Sequence, residues 1–307
     1  MEEIPKHLSK VLNYEGKASE PVRHDESLWI PSDVVIRPDG RVEFLSYIDN
    51  LHPVRYMQLY ESIADVFTAF VPLFERVLTY VTGPWSSGSG LFGLHPLEAK
   101  LTTGEKVLKT LYPLRGVIQA VIAIEEVQIH PDSISLPDAP SDSWVRHSVH
   151  NNIVATGVYV LHCTNLSEAS LNFRRMARRP MAPGIRQSEI DEELGAIRCL
   201  EGRGVVFPAY CGHKSTSPLQ LLVPTKPGSM QVLVIHVLNP SQPVVSSAEV
   251  PPRQREWRFD EIITPIARRY ALPEDVQKRL ETMIPGGFTP EEAVQLRGRV
   301  VPSTWFG

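Results

Sequence analysis

Four things are missing from this chain, and each absence removes a class of function. No apolar run approaches the ~20 residues that a membrane helix requires, so no membrane partner is expected. The opening MEEIPKHLSK is acidic first and has no apolar centre, which argues against a secretory leader. Cysteine is scarce: Cys163, Cys199 and Cys211 are the only three. Their number is odd and their spacing is neither that of a zinc site nor that of a disulfide framework, so reduced thiols are expected. A basic excess is also absent, with 31 Lys and Arg against 35 Asp and Glu for a net charge of -4. That balance disfavours nucleic acid, whose binding depends on phosphate neutralisation by a basic surface. The expectation is a cytoplasmic protein acting on a small molecule. The sequence leaves open whether it is a monomer or a homodimer.

What is present suits a folded domain of ordinary composition. Of 307 residues, 42% are hydrophobic and 21% charged, enough to bury a sizeable core. Residues 1–27 are polar and aperiodic and read as a flexible arm, leaving residues 28–307 as a single domain. A hairpin opens that domain: Asp33 to Ile36 and Arg41 to Tyr47 are strand-like runs joined by Arg37-Pro38-Asp39-Gly40, a tight-turn sequence. The period then changes. Tyr56, Leu59, Tyr60, Ile63, Val66, Phe67, Phe70, Val71, Phe74, Val77 and Leu78 recur at helical spacing and predict an amphipathic helix with a core-facing stripe.

Gly83 to Gly93 is glycine- and serine-rich but lacks the Lys-Ser/Thr ending of a phosphate loop. From Gly116 the pattern is that of strands: Val117 to Ile129, Ile153 to Leu161, Val205 to Pro208 and Val232 to Leu238, separated by Pro/Gly/Ser loops. This spacing suits a barrel or sandwich rather than alternating βα units. Helices return at the end, one opening at Pro273-Glu274-Asp275 and another at Thr289-Pro290-Glu291-Glu292, a capping box with proline at the first helical position. The basic cluster Arg174, Arg175, Arg178 and Arg179 reads as a solvated loop or edge. The fold class expected is α+β, with a barrel core over about 110–240 and C-terminal helices over about 258–300.

Three segments carry a family resemblance: SLWIPSDVVIRPDGRVEFLSYIDNLHP (27–53), NNIVATGVYVLHCTNLSEASLNFR (151–174) and FPAYCGHKSTSPLQLLVPTKPG (207–228). With the ending FTPEEAVQLRGRV, they resemble a fungal family of unknown function that is itself similar to iron(II)/2-oxoglutarate dioxygenases. The resemblance implies a double-stranded β-helix of the cupin or jelly-roll kind. It also implies an iron centre of two His and one carboxylate with positions open for 2-oxoglutarate and oxygen. The family's first ligands lie in a Trp-His-x-Glu motif just before the strand matched by Ile153 to Leu161. Here that stretch reads Ser143-Trp144-Val145-Arg146-His147-Ser148-Val149-His150. One register places Trp144 and Arg146 at the ligand positions and the other places Val145 and His147 there; neither restores the motif.

The family's distal His matches His213. Its 2-oxoglutarate anchor, a basic residue able to pair with a carboxylate, corresponds to Met230, which has no charge to offer. The expectation is therefore a redox-neutral isomerase, cyclase or dehydratase that uses neither iron nor 2-oxoglutarate and no other cofactor. His147, His150 and His213 are its candidate acid–base groups, and Arg146 its candidate for stabilising developing negative charge. Trp144, Tyr210, Cys211, Lys214, Met230 and Arg174 are candidate substrate-binding residues. Each histidine also reads as a hydrogen-bonded structural group, Arg174 as a structural pairing residue and His236 as a core residue with a satisfied partner. Two alternatives stand beside this expectation: an oxygenase with an iron site of His147, His150 and His213, and a non-catalytic ligand-binding protein.

Overall fold

A computed structural model describes residues 23–24, 30–82, 113–131, 144–146, 152–178, 189–215, 219–258, 263–283, 287–289 and 291–292. The described residues form two sheets that are antiparallel but for one pair, together with few helices. One sheet holds, in order, β1 (Arg23–His24), β5 (Val145–Arg146), β10 (Gly212–Ser215), β7 (Ala169–Arg178) and β8 (Glu189–Cys199). The other holds β3 (Val42–Phe44), β2 (Ser32–Ile36), β4 (Gly116–Ile129), β11 (Gly228–Leu238), β6 (Ile153–Thr164) and β9 (Gly204–Pro208). The parallel pair is β1 with β5.

The six-stranded sheet follows from long β-branched runs. In β11 all seven residues from Val232 to Leu238 are buried, and β6 is buried on both faces over its first half. Such runs suit a strand covered on two sides. One cover is the helix α1 (Met57–Thr82), whose Ile63, Phe67, Phe70, Val71, Phe74 and Leu78 are buried at helical spacing. They pack with Val34, Ile36, Ile118, Ala120, Ala155, Leu233, Ile235 and Val237 of the sheet. Close approach is possible because Gly157 and Gly204 carry no side chain: a Cβ there would stand 2.6 and 2.4 Å from the Phe70 ring. The other cover is the five-stranded sheet. Val158, Val160, Val232, Val234 and Met230 meet Leu171 and Phe173 of β7 in a second apolar cluster.

The predicted hairpin is present as β2 and β3, closed by Arg37 N–H donating to the Arg41 carbonyl at 2.8 Å, with Gly40 at φ 89° where a side chain is disfavoured. The capping box also forms: the Thr289 N–H donates to Glu292 Oε2 at 2.9 Å and the Glu292 N–H donates to Thr289 Oγ1 at 3.2 Å. Short helices α2 (Arg255–Arg258), α3 (Thr264–Tyr270) and α4 (Glu274–Met283) precede it, α4 directly after Pro273 as expected. No helix among the described residues is long and apolar enough to cross a membrane. The loop Gly83 to Gly93 lies outside the described residues.

The register bears on two expectations. Of the basic cluster, Arg174, Arg175 and Arg178 lie in a strand rather than a loop, and Arg179 lies outside the described residues. Arg174, Arg175 and Arg178 of β7 stand opposite Glu193, Glu192 and Glu189 of β8. A run of arginines has no apolar alternation, which is why the strand was not visible in the sequence. Within the supposed arm, Arg23 and His24 pair with Val145 and Arg146 as a short edge strand.

Candidate functional site

His213 is placed by pairing on both sides. β10 lies between β5 and β7, with His213 opposite Val145 on one and Phe173 on the other. Directly facing residues of antiparallel strands share a face, so His213, Val145 and Phe173 point the same way. That way is toward the other sheet: the His213 ring lies 5.1 Å from the ring of Phe207 in β9, which lies 5.0 Å from the ring of Phe173. His213 is 5% exposed. Cys211, two residues earlier on the same face, is buried in this cluster with Met230, and Tyr210 packs against it.

The opposite face of the five-stranded sheet carries a different group. The Arg174 guanidinium lies 4.4 Å from the centre of the Trp144 ring, and the Lys214 ammonium lies 5.5 Å from it. Arg174 crosses above Gly212, where an added Cβ would stand 3.1 Å from its Cγ. Trp144 and Arg174 are both buried, so the cation rests against an indole face in a largely dry setting, an arrangement worth up to about 2 kcal/mol. The structure thus places Cys211 and Tyr210 with Phe173 and Phe207, the rings beside His213, while Met230 belongs to the same apolar cluster but lies further along β11, opposite Cys163. It sets Trp144, Arg174 and Lys214 on the other side of the same strands. Arg146 pairs with His24 at the end of β5. His147 and His150 lie outside the described residues.

One residue pair that sequence reasoning left in the core stands beside this site. On the inner face of the six-stranded sheet, Phe207 faces Thr156 on β6, and Thr156 faces His236 on β11. Thr156 Oγ1 and His236 Nδ1 are hydrogen-bonded at 2.9 Å, and both residues are buried. The available signal was a histidine alternating with valines, Val232-Leu233-Val234-Ile235-His236, at an inward position of a buried strand. The hollow that the described residues leave between the sheets lies one row further along. It is apolar, about 10 Å³, and lined by Val158, Val160, Leu171, Ile197 and Val205 with Cys199, Arg198 and Arg203, room for about one water. Burial pushes the Cys199 thiol up to about 11, against a smaller opposing pull from Arg203. Cys163 is also raised by burial, and by the charge of Glu201.

Within the stretch that the resemblance aligns with Trp-His-x-Glu, the residue paired with His213 is Val145. An iron(II) centre of this type needs three donor side chains converging on one point. The residues paired with His213 or stacked on its ring, Val145, Phe173 and Phe207, carry no metal donor. Among the described residues no three His, Cys, Asp or Glu side chains gather to hold a metal ion. The position implied for the 2-oxoglutarate anchor, Met230, is 1% exposed and sits in an apolar cluster. Of the ligand set implied by the resemblance, only His213 lies among the described residues, and Met230 has no charge to offer 2-oxoglutarate.

The architecture defines a class of protein: two mostly antiparallel sheets packed face to face, with a long helix behind the larger. Within that class the chain belongs to the family described as protein of unknown function (DUF4246), whose profile matches residues 5–103 and 95–261. Among solved structures it is similar to a selenomethionine-labelled Fe(II)/(alpha)ketoglutarate-dependent dioxygenase TqaL, at 12% identity and a TM-score of 0.36, covering 71% of this chain and 70% of that one. It is also similar to a bsmA homologue from Methylobium petroleophilum PM1, at 12% identity and a TM-score of 0.38, covering 68% of this chain and 70% of that one. Overlaps this loose carry no chemistry, and the sheet order given above stands on the chain's own register. No curated protein sequence matches.

Proposed function

We propose that the two sheets form a double-stranded β-helix of the dioxygenase type whose iron centre has been lost. On this reading the protein is a redox-neutral enzyme, an isomerase, cyclase or dehydratase, acting on a small apolar molecule without iron or 2-oxoglutarate. The resemblance to a fungal family makes an intermediate of specialised metabolism the natural substrate class. The single observation that carries the reading is Val145 paired directly with His213; on this reading Val145 stands at the histidine position of the family motif, an aliphatic side chain in place of a metal ligand. Met230 supports it, because an unpaired carboxylate buried against a thioether is costly. His213 then serves as a proton donor or acceptor, since imidazole exchanges protons near neutral pH. The apolar wall of Phe173 and Phe207 holds and orients a ring system, and orientation alone removes much of the barrier to an intramolecular closure.

The test is anaerobic reconstitution with iron(II), followed by metal analysis and assay of 2-oxoglutarate turnover. The expected result is substoichiometric iron and no succinate. A Val145→His/His147→Glu variant, which restores the motif, is expected to bind more iron than the wild-type protein. Stoichiometric iron in the wild-type protein, lost on His213→Ala, together with consumption of 2-oxoglutarate, overturns the reading in favour of an oxygenase using His147, His150 and His213. Recovery of one bound metabolite, unchanged after incubation, points instead to a ligand-binding protein.

A further inference from the structure

β6 changes character where it outruns one of its neighbours. Its pairing with β9 ends at Tyr159 opposite Gly204. Beyond that point the turn over residues 200–203, closed by Arg203 N–H donating to the Leu200 carbonyl at 2.9 Å, lies along it instead. Val160 N–H donates to the Arg203 carbonyl at 3.1 Å and Gly202 N–H to the Val160 carbonyl at 2.9 Å, with Gly202 at φ 75°, a conformation that suits glycine. The turn thereby sets Glu201 beside the end of β6. Its Oε2 accepts the Cys163 N–H at 3.0 Å and stands 3.4 Å from His162 Nδ1. A backbone N–H beyond the end of a ladder needs another acceptor, and this carboxylate supplies one. On the other side β11 keeps pairing, with a register shift that leaves Leu161 as the extra residue between His162 opposite Gln231 and Val160 opposite Val232. His162 and Thr164, two residues apart, share one face of the strand, and His162 Nε2 lies 2.5 Å from Thr164 Oγ1. A carboxylate, an imidazole and a hydroxyl thus stand in sequence at an exposed strand end.

An ionised carboxylate only accepts hydrogen bonds, so the imidazole proton belongs on Nδ1, facing Glu201, and the Nε2 lone pair is left for the Thr164 hydroxyl. A base within hydrogen-bond reach of a hydroxyl, itself oriented by a third group, is the arrangement that activates a nucleophile. It is recognised by geometry and roles rather than by sequence position. We propose that Thr164, with His162 as its base and Glu201 as the positioning residue, is an acyl-accepting site for small activated esters, separate from the surroundings of His213 and independent of the chemistry proposed there. Thr164 Oγ1 attacks the acyl carbon while His162 Nε2 takes the hydroxyl proton. The carbonyl π pair moves to oxygen and returns as the bond to the leaving oxygen breaks. His162 gives its proton to that oxygen, which leaves the Thr164 ester and the free alcohol. Water then attacks the ester, passing a proton to His162, and the Thr164 oxygen departs with that proton. One ester and one water become one acid and one alcohol, and nothing is oxidised or reduced. Because the site is open to solvent, it suits a substrate whose good leaving group asks for little stabilisation of developing charge.

The experiment incubates the full chain with p-nitrophenyl acetate, follows release of p-nitrophenol by absorbance and locates acetyl groups by mass spectrometry of the peptides. An acetyl ester on Thr164, with release faster than in buffer, is expected for the wild-type protein, and an ester on the serine for Thr164→Ser. Thr164→Val should bring release back to the buffer rate. His162→Gln should slow acylation about 100-fold, the lower end of the range for loss of a general base. Glu201→Gln should slow it about tenfold, since an exposed pair constrains the ring less than a buried one, and Glu201→Asp should restore part of the loss. Long-range proton–nitrogen correlation spectra should show the Nδ1–H tautomer of His162 in the wild-type protein and both tautomers in Glu201→Gln. All three positions are exposed, so the variants are expected to fold, which thermal melting checks. Acetyl groups confined to lysines or Cys163, or a Thr164 ester formed equally fast in His162→Gln, overturn the assignment. Release that persists in Thr164→Val and is lost in His162→Gln also overturns it, because His162 is then the nucleophile. None of these outcomes touches the redox-neutral reading, which the iron and 2-oxoglutarate assays decide by themselves.

Discussion

The two sheets are built from different kinds of sequence. In the six-stranded sheet, β4, β6 and β11 are long and rich in β-branched residues, and β11 from Val232 onward and the first half of β6 are covered on both faces, by α1 and by the other sheet. In the five-stranded sheet, β1 and β5 have two residues each and β10 has four. The longer β7 and β8 face each other with arginines against glutamates. The first sheet is held by apolar area on both faces, the second by strand pairing, a stacked cation and the one apolar face it shares with the first. Their difference shows how the molecule divides its work: the stable sheet is the platform, and His213 is carried by the sheet with fewer constraints of its own.

Substitutions can break or sharpen this contrast. The largest effect should come from the platform: Phe74, fully buried between α1 and the sheet, should cost about 3–5 kcal/mol when replaced by alanine, read as a lowered denaturant midpoint. Gly204→Ala should cost about 1–3 kcal/mol by overpacking, since the new methyl group would stand 2.4 Å from the Phe70 ring. The same denaturation series should show less for Trp144→Leu, which keeps an apolar side chain but removes the ring against Arg174 and Lys214; about 1–2 kcal/mol is expected. If Trp144→Leu proved as damaging as Phe74→Ala, the division between platform and carrier would be wrong.

The smallest effect is chemical. Cys199 lies at the seam between the sheets, and its thiol is pushed up to about 11 by burial. The thiolate is the reactive form, so alkylation by iodoacetamide should be slow at pH 8 and rise about tenfold per pH unit until that value is approached. Mass spectrometry of the modified peptide checks this. A fast, pH-independent reaction at Cys199 would mean that the seam is open to solvent.

Much of the platform was legible because its residues report their own surroundings. The stripe from Ile63 to Leu78 has helical period, Val232 to Leu238 is apolar without interruption, and Arg37-Pro38-Asp39-Gly40 specifies its turn through local geometry. The carrier sheet was not legible. A two-residue strand such as β5 has no period to detect, and β7 shows as a basic run until Glu189, Glu192 and Glu193 are placed opposite it. Within the candidate site, the importance of His213 could be read from its motif. Its neighbours could not, because Val145, Phe173 and Phe207 come from distant parts of the chain. Trp144, Arg174 and Lys214, grouped with His213 by sequence, lie across the strand from it, since a shift of one residue along a strand changes the face.

By itself, then, the amino-acid sequence determined the composition of the core, the long helix and the turns, all of which depend on residues near one another in the chain. The tertiary structure alone decided that Val145 is the residue beside His213, that the basic run is a paired strand, and that His236 and Thr156 share a row with Phe207. Those relations arise from strand register between segments far apart in sequence, and register is set by the collective burial of whole sheets rather than by any local signal.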